Sequence, residues 1–293
     1  MKVTPLPEVE RGRERRVAVG TFDGVHLGHR EVIAGADSVL TFEPHPVSVV
    51  APQHTPKLLT TPRRKAELVG QLGVQEMIVI PFDKQFAAQS AEEFIEHVLV
   101  GALGATHVSI GENFRFGNRA KGDPALLSAD DRFSTDVHPL LEIEGEIVSS
   151  SHIRGLLVAG DVAGANRLLG STFQLAGEVA HGDKRGRELG FPTANLIPEE
   201  AFVCPGHGVY ACLADGRPAA VSIGVRPTFQ TGRGELIEAF ILDFEEDIYG
   251  ELLTLEFLER LRGERRFASA EALVEQMRQD VERTRVLAAG RAA

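Results

Sequence analysis

The sequence predicts two domains of different class: an α/β domain with a parallel sheet over residues 1–170, and a β domain over 171–293 that ends in a helix. Three observations predict this. Apolar strand-like runs alternate with helix-like runs through the first half. After Gly170, strand-like runs follow one another with only Gly- and Pro-bearing turns between them. The length of 293 residues suits two cores at roughly 150 residues per domain.

Taken in order, RVAVGTF (16–22) reads as a buried strand bounded by Gly20, and HREVIAGA (29–36) as a short helix. SVLTF (38–42) is a second strand, ended by the Pro-His-Pro of 44–46. TPRRKAELVGQLG (61–73) has a capping Thr61, Pro62 at the first helical position and Gly73 as a stop. EMIVI (76–80) is a third strand. SAEEFIEHVLVGALG (90–104) opens on a capping box of Ser90 with Glu93, and THVSI (106–110) is a fourth strand. Strands alternating with helices imply βαβ units, whose ligands bind at the carboxyl ends of the strands. Two short helices fit 152–170. Five strand candidates follow, at 173–181, 208–214, 217–225, 236–244 and 251–258, and suggest an antiparallel barrel. A terminal amphipathic helix over 268–288 puts Ala270, Leu273, Met277 and Val281 on one face.

Composition narrows the function. Hydrophobic residues at 43% and charged residues at 25% are those of a globular protein, not a disordered one. The net charge of −11 argues against a nucleic-acid partner, which calls for a basic footprint, yet allows a nucleotide in a local positive pocket. Two cysteines without a CxxC pair argue against a zinc finger and against a disulfide scaffold. The opening MKVTPLPEVERGRERR lacks an apolar core for a signal peptide, and no run suits a membrane span, so a cytoplasmic protein with no membrane partner is expected.

The first chemical site is GTFDGVHLGH (20–29), just after the first strand. His26 and His29 are three apart, so a helix beginning near His26 carries both rings on one face of its first turn. Gly28 leaves room for a ligand beside the backbone. The helix N-terminus favours an anion, and two imidazoles beside it can follow charge developing on an α-phosphate. Read alone, HxGH fits a helix start with two surface histidines as well as it fits a phosphate site; the strand and FDG before it favour the phosphate site. TFEPHP (41–46) ends the second strand, where a proline-stiffened turn is the plainer reading. GENFRFG (111–117) follows the fourth strand; Asn113 offers an amide there, and Phe114 and Phe116 could stack on a flat ring or simply fill the core. VSSSHIRG (148–155) opens the next helix, and Arg154 could grip an anion with its guanidinium or stand in solvent.

In this order the four motifs resemble the adenylyltransferase module of the bacterial bifunctional riboflavin kinase/FMN adenylyltransferases, the prokaryotic FAD synthetases. The resemblance implies a Rossmann-like HxGH nucleotidyltransferase domain. It implies that His26 and His29 are catalytic and hold ATP phosphates in the transfer state. Phe22, Asp23 and Gly28 would help bind the nucleotide, Asn113 would lie near the reacting phosphates or the flavin, and Ser151 and Arg154 would bind the triphosphate. The stretch between His29 and TFEPHP is shorter than in most members, so its helix must be clipped. Asn113 stands where many members have Asp, and Ser151 where Thr is usual.

The second chemical site is GEVAHGDKRGRELGFPTANL (177–196). Gly182, Gly186 and Gly190 recur every four residues with Lys184, Arg185 and Arg187 among them, as in a flexible basic flap over phosphates or a surface hairpin with charged tips. It is not a Walker A loop, which needs GxxxxGK[ST]. In FPTAN (191–195), Pro192 fixes a turn, and Thr193 and Asn195 offer hard oxygens suited to Mg²⁺. In the strand of 236–244, Ile237, Ala239 and Ile241 point one way and Glu238, Phe240 and Leu242 the other. Glu238 could be a solvent-facing residue or a general base for an alcohol attacking a γ-phosphate.

FPTAN, GHGVYACL (206–213), SIGVRPTF (222–229), DIYG (247–250) and LRGERRF (261–267) resemble the riboflavin kinase module of the same family. The resemblance implies a six-stranded barrel with the terminal helix beside it. Thr193 and Asn195 would sit at Mg-ATP, Glu238 would be the base on the ribityl 5′-hydroxyl, and Gly182, Lys184, Gly190, Phe191 and Pro192 would contact ATP or flavin. Together the modules imply ATP-dependent phosphorylation of riboflavin to FMN, then adenylylation of FMN to FAD with release of pyrophosphate. The alternatives are a kinase whose shortened first module is inactive, a binding module that stores a flavin or nucleotide, and a nucleotidyltransferase for another substrate. Storage would need neither metal ligands nor a base. Oligomeric state is not legible.

Overall fold

A computed structural model describes residues 1–180, 191–225 and 235–290. The backbone divides into two compact units, Met1–Ser150 and Ser151–Ala293.

The first unit carries strands β1 (Lys2–Pro5), β2 (Arg15–Val19), β3 (Ser38–Glu43), β4 (Glu76–Pro81), β5 (Ala105–Gly111) and β6 (Ser134–His138). They form one parallel sheet in the order β1-β4-β3-β2-β5-β6. The expected four strands are β2 to β5. The two edge strands are additions that the sequence pattern did not mark: β1 ends in a proline, and the STDVH of β6 alternates without an apolar face.

Side-chain alternation sends the sheet into two cores. Val17, Val19, Leu40, Ile78 and Ile80 pack with Phe94, Val98 and Leu99 on one face. Ala18, Val39 and Met77 pack with Val32, Ile33, Leu68 and Val69 on the other. The first face is covered by α5, which starts at Ala91 and runs on as a π-helical stretch from Phe94 to Ala102. Both bonds of the predicted Ser90–Glu93 capping box are present. The second face is covered by α1 (Leu27–Ile33) and α3 (Pro62–Gln71), which is capped by Thr61 as expected. Short helices α2 (Pro46–Val50), α4 (Lys84–Ala87) and α6 (Pro124–Ser128) and a β7–β8 hairpin (Glu142–Ile143, Glu146–Ile147) complete the unit. Helix α1 is as clipped as the short sequence between His29 and β3 requires: it has 7 residues.

In the sheet, β2 leads to β3 on one side, while β5 lies on its other side. This is a topological switch point, so the loops after β2 and β5 diverge and leave a crevice at their carboxyl ends.

The second unit holds α7 (Ser150–Ala159, shared at its first residue), α8 (Val162–Leu169) and strands β9 (Phe173–Ala180), β10 (Ala194–Pro198), β11 (Gly208–Ala214), β12 (Arg217–Val225), β13 (Glu235–Ile241) and β14 (Leu252–Arg262). These strands close into a barrel in the order β10-β13-β12-β11-β14-β9. The six strands are those the family resemblance implied. The periodicity marked five, because β10 is short and overlaps the proline-bearing FPTAN segment. The interior is filled by Tyr210, Val221, Ile223, Ile237, Ala239, Leu255 and Phe257, all fully buried. Asn166 of α8 ties the helices to the barrel: its amide donates to the Phe257 carbonyl at 2.8 Å and accepts from the Phe173 N–H at 2.7 Å.

The terminal helix α9 (Ala270–Ala289) lies against β11, β12 and β14. Of the apolar stripe expected, Leu273, Met277 and Val281 are half-buried and Ala270 is exposed; the buried residues are Asp280, Thr284 and Ala288. The carboxylate of Asp280 can be there because Arg262 of β14 clasps it with Nε–Oδ2 at 3.0 Å and Nη2–Oδ2 at 2.9 Å.

Candidate functional site

The crevice of the first unit opens into a cavity of about 780 Å³, within the range of small-molecule sites. Its walls come from the carboxyl ends of successive strands. Gly20, Thr21 and Phe22 follow β2, and His45 follows β3. Phe82 and Phe86 follow β4, Asn113, Phe114 and Phe116 follow β5, and His138 ends β6.

His26 caps α1, and its Nδ1 accepts the His29 N–H at 3.2 Å. That bond puts the proton of a neutral His26 on Nε2, where it is a donor. The two imidazoles stack with centroids 3.5 Å apart and planes at 15°. Phe22 meets His29 edge-on at 5.3 Å. The spacing of three therefore places both rings side by side at the first turn of α1, as the sequence predicted. Gly28 lies against this pair: a Cβ there would come within 3.4 Å of His26 and 3.6 Å of Leu141.

The loop that leads into α1 is strained. Phe22 has φ 49° and Val25 has φ 43°, a region that bulky residues rarely enter. Asp23 lies between them and is not on the cavity wall. It is buried, and its carboxylate accepts the N–H groups of Leu59 at 2.9 Å and Thr60 at 3.2 Å. The Thr60 hydroxyl in turn accepts the Gly24 N–H at 3.1 Å. These bonds pin the loop from below and hold its unusual backbone.

Asn113 is on the wall, next to Gly111. Phe114 and Phe116 stack on each other, with centroids 5.6 Å apart, and Phe116 continues into the core against Phe94 at 5.3 Å. Gly117 must be glycine: its φ is 70°, and a Cβ would lie 2.6 Å from the Ala91 nitrogen. Ser149 and Ser150 line the cavity, and the Ser150 hydroxyl donates to the Asp23 carbonyl at 2.9 Å. Ser151 is exposed and Arg154 half-buried on α7, and both are counted with the second unit. Phe82, Phe86 and His138 escaped the sequence reading. The carboxyl-end rule for parallel strands points to the first two, and recognising β6 would have pointed to the third.

In the second unit, the register of β10 on β13 sets Asn195 directly opposite Glu238. Directly opposed residues share a face with Cβ atoms roughly 5 Å apart. The next strand brings Ser222 opposite Glu238 on its other side. This row lies on the outer face, because Ile237 and Ala239 fill the interior on either side of Glu238 in sequence. The alternation expected of 237–241 is the one observed. Asn195 is buried, and Phe191 packs edge-on against Phe240 at 5.1 Å on the same face as Glu238. Pro192 and Thr193 lead directly into β10. Gly182, Lys184 and Gly190 lie outside the described residues. Thr193 and Asn195 supply a hydroxyl and an amide carbonyl, hard oxygens that fit Mg²⁺ when phosphates and water complete its shell.

Comparison with known proteins follows this division. The FAD synthetase family model matches residues 9–152, and the riboflavin kinase model matches 169–288. A crystal structure described as a macrolide-efflux protein from Streptococcus pneumoniae superposes with TM-score 0.88 and 30% identity, over 97% of this chain and 99% of that one. Among the described residues no helix is long and apolar enough to cross a membrane. The bifunctional riboflavin kinase/FMN adenylyltransferase of Bacillus subtilis is 38% identical over 90% of this chain and 89% of its own length. The protein of the same name from Pseudomonas fluorescens is 38% identical over 92% of each chain. Similarity at this level, spanning both units in one continuous match, establishes that the chain belongs to the bifunctional riboflavin kinase/FMN adenylyltransferase family.

Proposed function

We propose that this chain makes FAD from riboflavin in two ATP-dependent steps, phosphorylation in the barrel unit and adenylyl transfer in the first unit. In the first step the ribityl 5′-hydroxyl attacks the γ-phosphorus of ATP. A new O–P bond forms, the bond from Pγ to the bridging oxygen breaks, ADP leaves, and Glu238 takes the hydroxyl proton. Thr193 and Asn195 would hold Mg²⁺, which supplies charge neutralisation for the phosphates. Phe191 and Phe240 form an aromatic edge beside this row. Pro192 fixes the turn that presents Thr193, and Gly182, Lys184 and Gly190 would cover the nucleotide.

In the second step a phosphate oxygen of FMN attacks the α-phosphorus of a second ATP, and pyrophosphate leaves. His26 and His29 stabilise the charge that builds on the α-phosphate, assisted by the N-terminus of α1. Phe22 and Gly28 shape the wall, Asn113 faces the reacting phosphates or flavin, and Ser151 and Arg154 would bind the triphosphate. Asp23 would act through the loop it pins.

The observation that carries the two-site reading is the pairing of Asn195 with Glu238 across two strands, in a unit separate from the His26–His29 stack. A storage protein has no use for a general base paired across the strands with a metal ligand. The kinase-only alternative is weakened because the short α1 still carries both stacked imidazoles. A cytoplasmic location, where ATP and free flavins meet, fits these substrates. The test is to incubate the protein with riboflavin and excess Mg-ATP and separate the flavins. FMN should appear first and FAD after it; FMN alone would leave a kinase, and unchanged riboflavin would end the proposal.

A further inference from the structure

Resting on the assignment of adenylyl transfer to the first unit, we infer that Lys65 is a positioning residue for that step: its ammonium orients the Thr21–Phe22 peptide so that the Phe22 N–H faces the nucleotide phosphates.

Lys65 sits on α3 with 8% exposure, and its Nζ donates to the Thr21 carbonyl at 2.9 Å. The same carbonyl accepts the Thr41 hydroxyl of β3 at 3.1 Å. Two donors from two elements therefore hold one carbonyl. In a trans peptide the following N–H points opposite to the C=O. Thr21 and Phe22 line the cavity and Lys65 does not, so the carbonyl turned toward Lys65 leaves the Phe22 N–H on the cavity side. This is the loop whose backbone is strained at Phe22, so the orientation needs holding.

A buried ammonium is costly unless it is used. Burial pulls Lys65 below the usual lysine range, while the carboxylates of Asp23, in the loop after β2, and Glu43, at the end of β3, oppose the shift. Arg63 on α3 borders the same small void as Lys65 and Glu43, of about 220 Å³. The void gives an arginine at position 65 room for its guanidinium. The positive charge under the loop also favours the anion above it.

The experiment measures both reactions in Lys65→Met and Lys65→Arg across pH, with circular dichroism to verify folding. In Lys65→Met, kcat/KM for ATP in FMN adenylylation should fall about a hundredfold, as for loss of one preorganised donor. The KM for FMN and the riboflavin kinase rate should stay near wild type, and Lys65→Arg should restore most of the loss. In the wild-type chain adenylylation should fall on the alkaline side as Lys65 loses its proton, and Lys65→Arg should carry activity to higher pH. Wild-type adenylylation in folded Lys65→Met overturns the inference. If Lys65→Met does not fold, identical alkaline profiles for wild type and Lys65→Arg overturn it instead. Unimpaired adenylylation in His29→Ala would instead refute the placement of the reaction in this cavity, a different failure.

Discussion

Replacing Glu238 with glutamine removes a charge and keeps the shape. Glu238 lies on the outer face of β13, half-buried, opposite Asn195 and Ser222. Its neighbours Ile237 and Ala239 fill the interior and are untouched, so stability should change by less than about 0.5 kcal/mol. A positioned general base contributes about 10²–10⁴ in rate. At about 1.4 kcal/mol per factor of ten, that is roughly 3–5.5 kcal/mol on the barrier of riboflavin phosphorylation. Glutamine cannot accept the proton, so kcat should fall by this factor while KM for ATP changes little. The assay follows riboflavin to FMN, and separately supplied FMN to FAD, by chromatography with Mg-ATP. The second reaction should be unchanged. Phosphorylation within tenfold of wild type, or a parallel loss of both reactions in a folded protein, would refute the assignment of Glu238 as base.

Three further outcomes are expected. His29→Ala should cut FMN adenylylation about 10²–10³-fold and spare riboflavin phosphorylation, measured in the same two assays. Gly117→Ala forces a Cβ to within 2.6 Å of the Ala91 nitrogen at φ 70°, and should lower the melting temperature of the first unit by a cost of about 2 kcal/mol or more, seen by circular dichroism. Asp280→Ala leaves Arg262 buried without its carboxylate, and should destabilise the barrel unit by about 3–5 kcal/mol in denaturant unfolding, with Asp280→Ala/Arg262→Met recovering part of the loss.

The parts of the fold most legible in the sequence were those governed by local rules. The Ser90–Glu93 box, the Thr61 cap and the alternation at 237–241 depend on neighbours within a turn or a strand, and each is present. The histidine pair was legible for the same reason, because three residues of helix decide that the rings meet. What depends on distant partners was not. β1 and β6 are strands only because β4 and β5 offer edges for them to pair with. Asp280 reads as a polar residue on a helix until Arg262 reaches it across 18 positions of chain. His138 and Lys65 carry no motif, and their place beside or beneath the cavity is set by strand order and by a carbonyl 44 residues away.

Packing the barrel solid and setting Asn195, Ser222 and Glu238 on its exterior has a practical consequence. On the proposed roles of Asn195 and Glu238, chemistry and foldability are written on alternate letters of the same strands. A library that randomises only the outward letters could retune substrate preference while every clone kept its inner wall, whereas the reverse library would lose structure before it gained a new reaction.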